Sequence, residues 1–199
     1  LPQMEAIMSI MIGVALSATC GFRVFIPLLA VNIGTRAQDA NGQPLIELAG
    51  GFDWLSSDIA MMVFLVATLF EIAGYYIPWV DNLLDTIASP ASIAAGTVIT
   101  ASFITGMDPW LQWLLGVIAG GGAAGAVQAT TVVARASSTV TTGGLGNPIV
   151  ASVETSGAFL GSALSILVAP FAIALFVLLL GGGVWIWWRR RGHKLAAAH

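Results

Sequence analysis

Long apolar runs separated by short polar segments make up most of this chain. The runs are about 20 residues long, the length at which a helix rising 1.5 Å per residue crosses a hydrocarbon core of roughly 30 Å. They lack the alternation of polar and apolar residues that is typical of a barrel strand. In lipid, a helix satisfies every backbone group within its own segment. The pattern therefore predicts an all-α fold, a polytopic bundle of membrane-spanning helices.

The spacing of the runs predicts six spans in a single transmembrane domain, residues 1–192. The predicted spans are 5–34, 58–77, 89–106, 110–134 and two passes within 148–188 that join at Pro170. Residues 78–85 are predicted to form a short interfacial turn or amphipathic helix, with Tyr75 or Tyr76 at the headgroups, and residues 135–147 a loop rich in Ser, Thr and Gly. The alternative is five spans, with 148–188 forming one long kinked helix.

The first apolar run, residues 5–34, is too long for one upright span. A continuous helix of this length would extend roughly 45 Å. Gly21, Arg23 and Pro27 lie close together within it, and proline removes a helical hydrogen bond. We therefore predict that the first span is a broken helix, interrupted between Gly21 and Pro27.

The composition supports a membrane class and excludes several others. Hydrophobic residues make up 57% of the chain and charged residues 9%, whereas about a quarter of an ordinary soluble domain is charged. Cys20 is the only cysteine, and the two histidines, His193 and His199, lie in a tail (193–199) that resembles a histidine-tag remnant. No internal histidine is left for a Ser/His/Asp triad, and there is no nucleotide-binding motif. We therefore expect no enzymatic activity, no cofactor and no nucleic-acid partner.

The basic residues predict the orientation in the membrane. Arg189, Arg190, Arg191 and Lys194 follow the last apolar run, and such residues stay on the cytoplasmic side. The C-terminus is therefore predicted to be cytoplasmic, in a bacterial inner membrane. With six spans the N-terminus is cytoplasmic too, and the polar loop 35–56 lies outside.

Three sequence blocks resemble a known family. They are residues 21–29 (GFRVFIPLL), residues 77–85 (IPWVDNLLD) preceded by Glu71, and residues 143–148 (GGLGNP) followed by Ser152 and Glu154. In kind and spacing they resemble the bacterial membrane-protein family catalogued as domain of unknown function 4126, over about residues 8–170. The resemblance implies a helical membrane fold and assigns no activity.

The two halves of the chain, residues 5–106 and 110–188, show a weak internal likeness. Residues 18–23 align with 123–128 when Gly21 is placed on Gly125. Three spans in each half would invert the second copy relative to the first, an arrangement found in many secondary transporters. We therefore predict a 3+3 inverted repeat.

Ionisable residues within apolar runs are the candidate functional residues. A charge at the bilayer centre costs about 2.5–3.5 kcal/mol on insertion scales, so such a residue usually faces the bundle interior. In one hypothesis Glu71 or Glu154 binds a cation or proton, and Arg23 is its counter-charge or clamps an anionic substrate. In the other, Arg23 and one glutamate form a buried ion pair that fixes helix register.

Three further residues are candidates with two interpretations each. Asp81 and Asp85 are four residues apart, so on a helix they share one face. In one interpretation they hold a divalent cation, and in the other they are solvated capping carboxylates. Asn147 belongs to residues 139–148, which form either a backbone nest for an anion or a flexible connector. The sequence identifies no metal.

These observations lead to three functional hypotheses. The first is a small transporter or channel-like protein for an ion or small solute, with a polar cavity at mid-depth that touches Arg23 and Glu71. The second is a structural or accessory membrane protein that forms a homo-oligomer through Gly96, Gly116 and Gly120. The third, ranked last, is an enzyme acting on lipid head groups.

Overall fold

The computed structural model describes residues 2–77 and 80–168, and helices make up most of that part of the chain. The only strand-like pairing there is an isolated bridge between Gln38 and Pro44. The helices are α1 (Pro2–Cys20), α2 (Phe25–Arg36), a 3-10 turn (Asp53–Ser56), α3 (Asp58–Gly74), α4 (Val80–Phe103), α5 (Pro109–Leu115), a π-helical segment (Gly116–Gly121), α6 (Gly122–Thr142) and α7 (Asn147–Leu167). The predicted sixth span, the join at Pro170 and the 193–199 tail fall outside the described residues.

The outer faces of the helices are mostly apolar, and the charges that lie within the apolar runs point inward. Three helical segments, Leu83–Phe103, Pro109–Thr142 and Asn147–Leu167, are long and apolar enough to cross a membrane. On α3, Ile59 and Phe70 are 77% and 75% exposed, whereas Glu71 is 6% exposed. Soluble proteins rarely expose contiguous apolar patches this way. The all-helical prediction is confirmed, and the surface is suited to lipid.

Helix α1 runs antiparallel to α4. Ser17 Oγ donates to the Gly96 carbonyl at 2.7 Å, and a methyl group on Gly13 would touch Phe103. Rising residue numbers on α1 therefore meet falling numbers on α4. Helix α1 ends at Cys20, which is fully buried.

Helix α2 returns toward the end of the bundle from which α1 came. Its first amides bind Glu71, close to the end of α3, and its last residue, Arg36, pairs with Asp58 at the start of α3 at 2.8 Å. Helix α2 is thus antiparallel to α3. Helix α4 folds back on α3, with Leu84 against Gly74, so α3 is antiparallel to α4, as α1 is. Helices α1 and α3 therefore run in the same direction, and α2 runs in the opposite direction to both.

The first apolar run is therefore a helical hairpin, with its tip at residues 21–24, and not one broken span. The predicted break is present, but the chain reverses there. Pro27 lies in the first turn of α2, where the amide that proline lacks would have no helical partner. The start of α1 and the loop 37–52 consequently lie at the same end of the bundle, called the loop end, and the prediction that they lie on opposite sides was wrong.

The opposite end, called the turn end, contains residues 75–77 and 143–146 and is more helical than predicted. The structure has no separate interfacial element at 80–85, because α4 begins at Val80 and continues through Pro90. Helix α6 extends through the predicted loop 135–147 as far as Thr142. Its hydroxyl residues are accommodated in the helix, where Ser137, Thr141 and Thr142 donate to carbonyls one turn earlier.

The glycines that were predicted to form an oligomer interface are packed inside this chain. A Cβ on Gly96 would lie 2.7 Å from the Gly120 carbonyl oxygen, and one on Gly116 would lie 2.8 Å from the Thr97 carbonyl oxygen. Glycine at these positions lets α4 and the π-helical segment approach closely. The face assigned to a second copy is therefore already occupied.

The inverted repeat is contradicted for the two helices that the sequence aligns. Gly116 faces Ala101 and Gly125 faces Ile93, so α6 and the segment before it run antiparallel to α4, as α1 does. Helices α1 and α6 therefore run in the same direction. An inverted repeat requires equivalent helices to run in opposite directions.

The polar side of the loop end is ordered by side-chain bonds to backbone. Asn32, fully buried, donates to the carbonyls of Leu55 and Ser57 at 2.6 and 3.0 Å. Asp39 accepts from the amides of Gln43 and Asn41, and these bonds hold the pKa of its carboxyl below its ordinary value. The loop is therefore anchored to the hairpin that it follows.

Gln112 caps the end of α4, and its loss should destabilise the fold. Its Nε2 donates to the carbonyls of Ala101 and Ile104, both at 2.9 Å, in a buried position. Replacing Gln112 with alanine should lower the free energy of unfolding by about 1–2 kcal/mol, because buried carbonyls lose their donor. Thermal unfolding in detergent measures this, with the exposed loop residue Gln43→Ala as control. Equal midpoints for the two variants would contradict the capping role.

Candidate functional site

The tip of the α1–α2 hairpin lies deep in the bundle because Gly21 fits tightly against α6. A Cβ on Gly21 would lie 2.5 Å from the Ala124 carbonyl oxygen and 2.6 Å from Val127 Cβ. Thr131 Oγ1 is 3.5 Å from the Gly21 carbonyl oxygen, within reach of a weak hydrogen bond. Non-helical backbone at this depth is tolerated only where protein surrounds it, and α6 covers the backbone here.

Arg23, in the hairpin tip, is 1% exposed and bonds mainly to α7. Its Nε donates to Thr155 Oγ1 at 3.1 Å, and its Nη1 donates to Glu154 and to the Phe22 carbonyl, both at 3.0 Å. Its Nη2 donates to the Ala151 carbonyl at 3.0 Å. The guanidinium is therefore pinned, as expected for a buried ion pair with one of the two candidate glutamates.

Glu154 bridges two arginines. Besides Arg23, it accepts from Arg135 of α6, from Nε at 3.2 Å and from Nη2 by a short contact. Arg135 Nε also lies 3.6 Å from Asp85 Oδ1. The sequence interpretation missed Arg135 as a site residue because it placed it in a loop. The available signal was that Arg135 is the only basic residue between Arg36 and Arg189.

Tyr75 lies between the two arginines and Asp85. The guanidinium carbons of Arg23 and Arg135 are 3.9 and 4.0 Å from its ring centroid, in the range of cation–π attraction. Its side chain also lies beside the carboxylate of Asp85. Tyr75 is 3% exposed, so of the two tyrosines that were predicted for the headgroups only Tyr76 is exposed.

Glu71 has a different partner from the one expected, because it caps the start of α2. Its Oε1 accepts from the amide of Val24 at 2.7 Å, and its Oε2 accepts from the amide of Phe25 at 3.1 Å. The first amides of a helix have no partner within the helix, and a carboxylate there also interacts favourably with the helix dipole. The break predicted around Gly21 thus creates the binding partner of Glu71.

Asp81 is not a solvated cap. It is buried and accepts from Asn147 Nδ2 at 3.0 Å, and Asn147 is also bonded to Thr139. Asp85, one turn later, has a side chain 17% exposed. Within the described ranges no three His, Cys, Asp or Glu side chains are grouped to hold a metal ion. The anion nest is also contradicted, because α6 includes residues 139–142 and Asn147 turns toward Asp81.

The structure thus brings together six of the predicted candidates and adds two residues. We call the set the charge network: Arg23, Glu71, Tyr75, Asp81, Asp85, Arg135, Asn147 and Glu154. A cavity of about 270 Å³ adjoins it, lined by Glu71 and Tyr75 and otherwise by apolar residues of α2, α3 and α4. This cavity touches Glu71 and not Arg23, so it differs from the polar cavity touching both that was expected.

The three sequence blocks that resembled a known family all converge on the charge network. A family model described as "Domain of unknown function (DUF4126)" matches residues 10–189. The chain belongs to the DUF4126 family. Block one supplies Arg23, the second supplies Asp81 and Asp85 with Glu71 before it, and the third supplies Asn147 with Glu154 after it. No curated protein matches this DUF4126 chain, and no solved structure does.

Proposed function

We propose that this DUF4126 protein is a small membrane transport protein, a transporter or a channel-like protein, that moves an ion or small solute. Its binding site is Glu71 at the tip of the α1–α2 hairpin. The observation that carries the proposal is an excess of carboxylates inside an apolar bundle. The charge network contains the carboxylates of Glu71, Asp81, Asp85 and Glu154 against the two guanidiniums of Arg23 and Arg135.

An excess of buried carboxylates favours uptake of positive charge. Two arginines compensate two of the four carboxylates, and an isolated ionised carboxylate is costly in a low-dielectric interior. The dipole at the start of α2, equivalent to about half a charge, compensates Glu71 in part. A proton or a small cation supplies the remainder, which is the requirement for ion coupling.

The hairpin provides the other element that transport requires. Interrupted helices with free backbone groups near mid-depth form the binding sites of many transporters. Here the interruption lies at residues 21–24, and Glu71 is bonded to the two amides that it exposes. When the Glu71 carboxylate binds a cation, it would release these amides, and the hairpin tip would lose a contact that holds it in place. Binding of the cation would thus be coupled to a movement of the tip.

The membrane setting is part of the same proposal. Helices α3, α4, α5 with α6, and α7 are its crossing helices in a bacterial inner membrane. At 17 residues, α3 extends about 25 Å, a few ångströms short of a typical hydrocarbon core, a mismatch that a bilayer accommodates. The C-terminal arginines, 189–191, place that terminus in the cytoplasm.

One observation favours a purely structural role as the second candidate. Arg23 directs its guanidinium donors to α7 and its own backbone in a fully enclosed position, so the charge network also clamps the hairpin to the bundle. A head-group enzyme has less support, because Asp81 and Asp85 lie inside the bundle and bond to Asn147 and Arg135.

Glu71→Gln tests the transport proposal. Purified protein is reconstituted into liposomes, and imposed gradients drive the flux of protons, Na⁺ and K⁺. Proton flux is followed with an enclosed pH-sensitive dye, and Na⁺ and K⁺ flux with dyes selective for each ion. We expect the parent to conduct at least one of these and Glu71→Gln to lose most of that flux, because glutamine cannot take up the positive charge. The exposed loop residue Glu47→Gln is the matched control and should conduct like the parent.

Thermal unfolding separates loss of transport from loss of fold. Glutamine retains one acceptor oxygen for the α2 amides, so we expect Glu71→Gln to remain folded. Equal flux from the folded variant and the parent would contradict the role of Glu71. A folded parent that conducts none of these ions would favour the structural role.

A further inference from the structure

Polar side chains form a column from the turn end of the bundle down to the hairpin tip. Asp81 and Asp85 lie one turn apart on α4, with Asp85 the deeper. Asp85 lies beside the Tyr75 side chain, and the backbone carbonyl of Glu71, in the last turn of α3, accepts from the amide of Tyr75, the residue that follows the helix. The column therefore connects the surface at the turn end with the residue proposed to bind the ion.

Several buried polar atoms along this column have no hydrogen-bond partner among the residues that the structure describes. They are Asp85 Oδ1, Arg135 Nη1 and Ser138 Oγ, and one turn beyond Glu71 on α3 also Thr68 Oγ1. Arg135 and Ser138, three apart on α6, share one face of that helix. Buried polar groups almost always find a partner, and ordered water is the usual one where protein supplies none. These orphaned atoms mark positions for water.

Apolar side chains close the bundle on the other side of the hairpin tip. Leu16 on α1 and Val31 on α2 are fully buried. They belong to one apolar cluster with Phe64 of α3, one turn beyond Thr68, and Ile99 of α4. The polar side chains next to these residues, Ser17, Asn32 and Thr100, are already hydrogen-bonded within the protein. The layer therefore separates Glu71 from the loop end.

We infer that Glu71 is reached by water from the turn end alone, along a hydrated path lined by Asp85, Tyr75, Arg135 and Ser138. This inference rests on the proposed function and adds the side from which the ion reaches Glu71. The structure is then the state in which the site is open to the turn end. The charged and titratable groups facing the path come from every helix packed around it: Arg23 of the tip, Glu71 and Tyr75 of α3, Asp81 and Asp85 of α4, Arg135 of α6 and Glu154 of α7.

Cysteine accessibility tests this path. Cys20 is the only cysteine of the chain, so Cys20→Ala gives a cysteine-free parent. Ser138→Cys and Thr68→Cys report on the path, and Val31→Cys reports on the apolar layer. Each purified variant is treated in detergent with a small cationic methanethiosulfonate, and modification is followed by intact mass. We expect the two path cysteines to react at least about tenfold faster than Val31→Cys, because a sealed position reacts only on local opening.

Two results would overturn the inference. One is a Val31→Cys rate equal to that of Ser138→Cys, and the other is a lack of reaction at both path positions in protein that reacts fully once denatured. Thermal unfolding of each variant confirms that it is folded. Labelling does not require flux, so a reactive path in a protein that conducts nothing supports the path and counts against transport. Flux without a reactive path supports transport and counts against the route.

Discussion

Replacing Glu154 with glutamine is expected to lower the free energy of unfolding by about 3–5 kcal/mol, the cost of breaking a buried ion pair. Arg23 and Arg135 both bond to this carboxylate inside the bundle, and Arg23 does so at 3.0 Å. Without the negative charge, two guanidiniums would remain close together in a low-dielectric site. Tryptophan-detected thermal unfolding in detergent measures the change.

The control is Glu47→Gln, which makes the same chemical change on the exposed loop and should leave the midpoint unchanged. The double variant Glu154→Gln with Arg135→Gln should recover part of the loss, because it removes one of the two uncompensated charges. A midpoint for Glu154→Gln within error of the Glu47→Gln value would show that the charge network does not hold the bundle together.

Replacing Gly21 with valine is expected to cost about 3 kcal/mol or more, at the upper end of overpacking effects. A Cβ there would lie 2.5 Å from the Ala124 carbonyl oxygen and 2.7 Å from the Gln128 amide nitrogen. Backbone atoms cannot rotate away as the end of a side chain can, so the hairpin tip would have to move off α6. Denaturant or thermal unfolding in detergent measures the loss.

Gly122→Val is the matched control for Gly21→Val. Gly122 is exposed, at the start of α6, and a Cβ there would meet no atom within 4 Å. We expect this variant to unfold at the parental midpoint. If both valine variants unfold alike, the tight approach of the hairpin tip to α6 does not contribute to stability.

The charge network combines a stabilising and a functional component. Glu154 accepts from both Arg23 and Arg135, and this part fits a clamp between the hairpin, α6 and α7. Glu71 accepts from one backbone amide at each of its two oxygens, and it borders the cavity. The Glu154 and Glu71 variants should therefore have different effects. Glu154→Gln should lower the stability of the fold, whereas Glu71→Gln should lower the flux through folded protein.

Local features of the sequence predicted local features of the structure. The interruption at Gly21 is present, and the lack of a side chain there lets the chain touch α6. The burial of Arg23, Glu71 and Glu154 followed from charge placed in apolar runs, since a helix in lipid turns such residues inward. Their partners were predicted only in part, because either glutamate could have paired with Arg23.

The errors concern features that depend on contacts distant in sequence. An interrupted helix can continue or reverse with the same composition, and what reverses this one is Glu71 of α3 binding the start of α2. Arg135 seemed to lie in a polar loop, yet α6 continues past it to Thr142, and its hydroxyl groups bond to carbonyls one turn earlier. The glycines of α4 and α6 suggested a close interface but gave no information on whether the partner is the same chain.

By itself, the sequence determined that this protein is built of apolar helices, where the first of them is interrupted, and that Arg23, Glu71 and Glu154 are enclosed. These properties depend on hydropathy and helix propensity over a few turns. Only the tertiary structure decided the direction of the chain after the interruption, the pairing of Glu154 with two arginines, and the capping of α2 by Glu71. Such contacts join residues as far apart as 23 and 154, and their free energy depends on how whole helices pack, which no local pattern encodes.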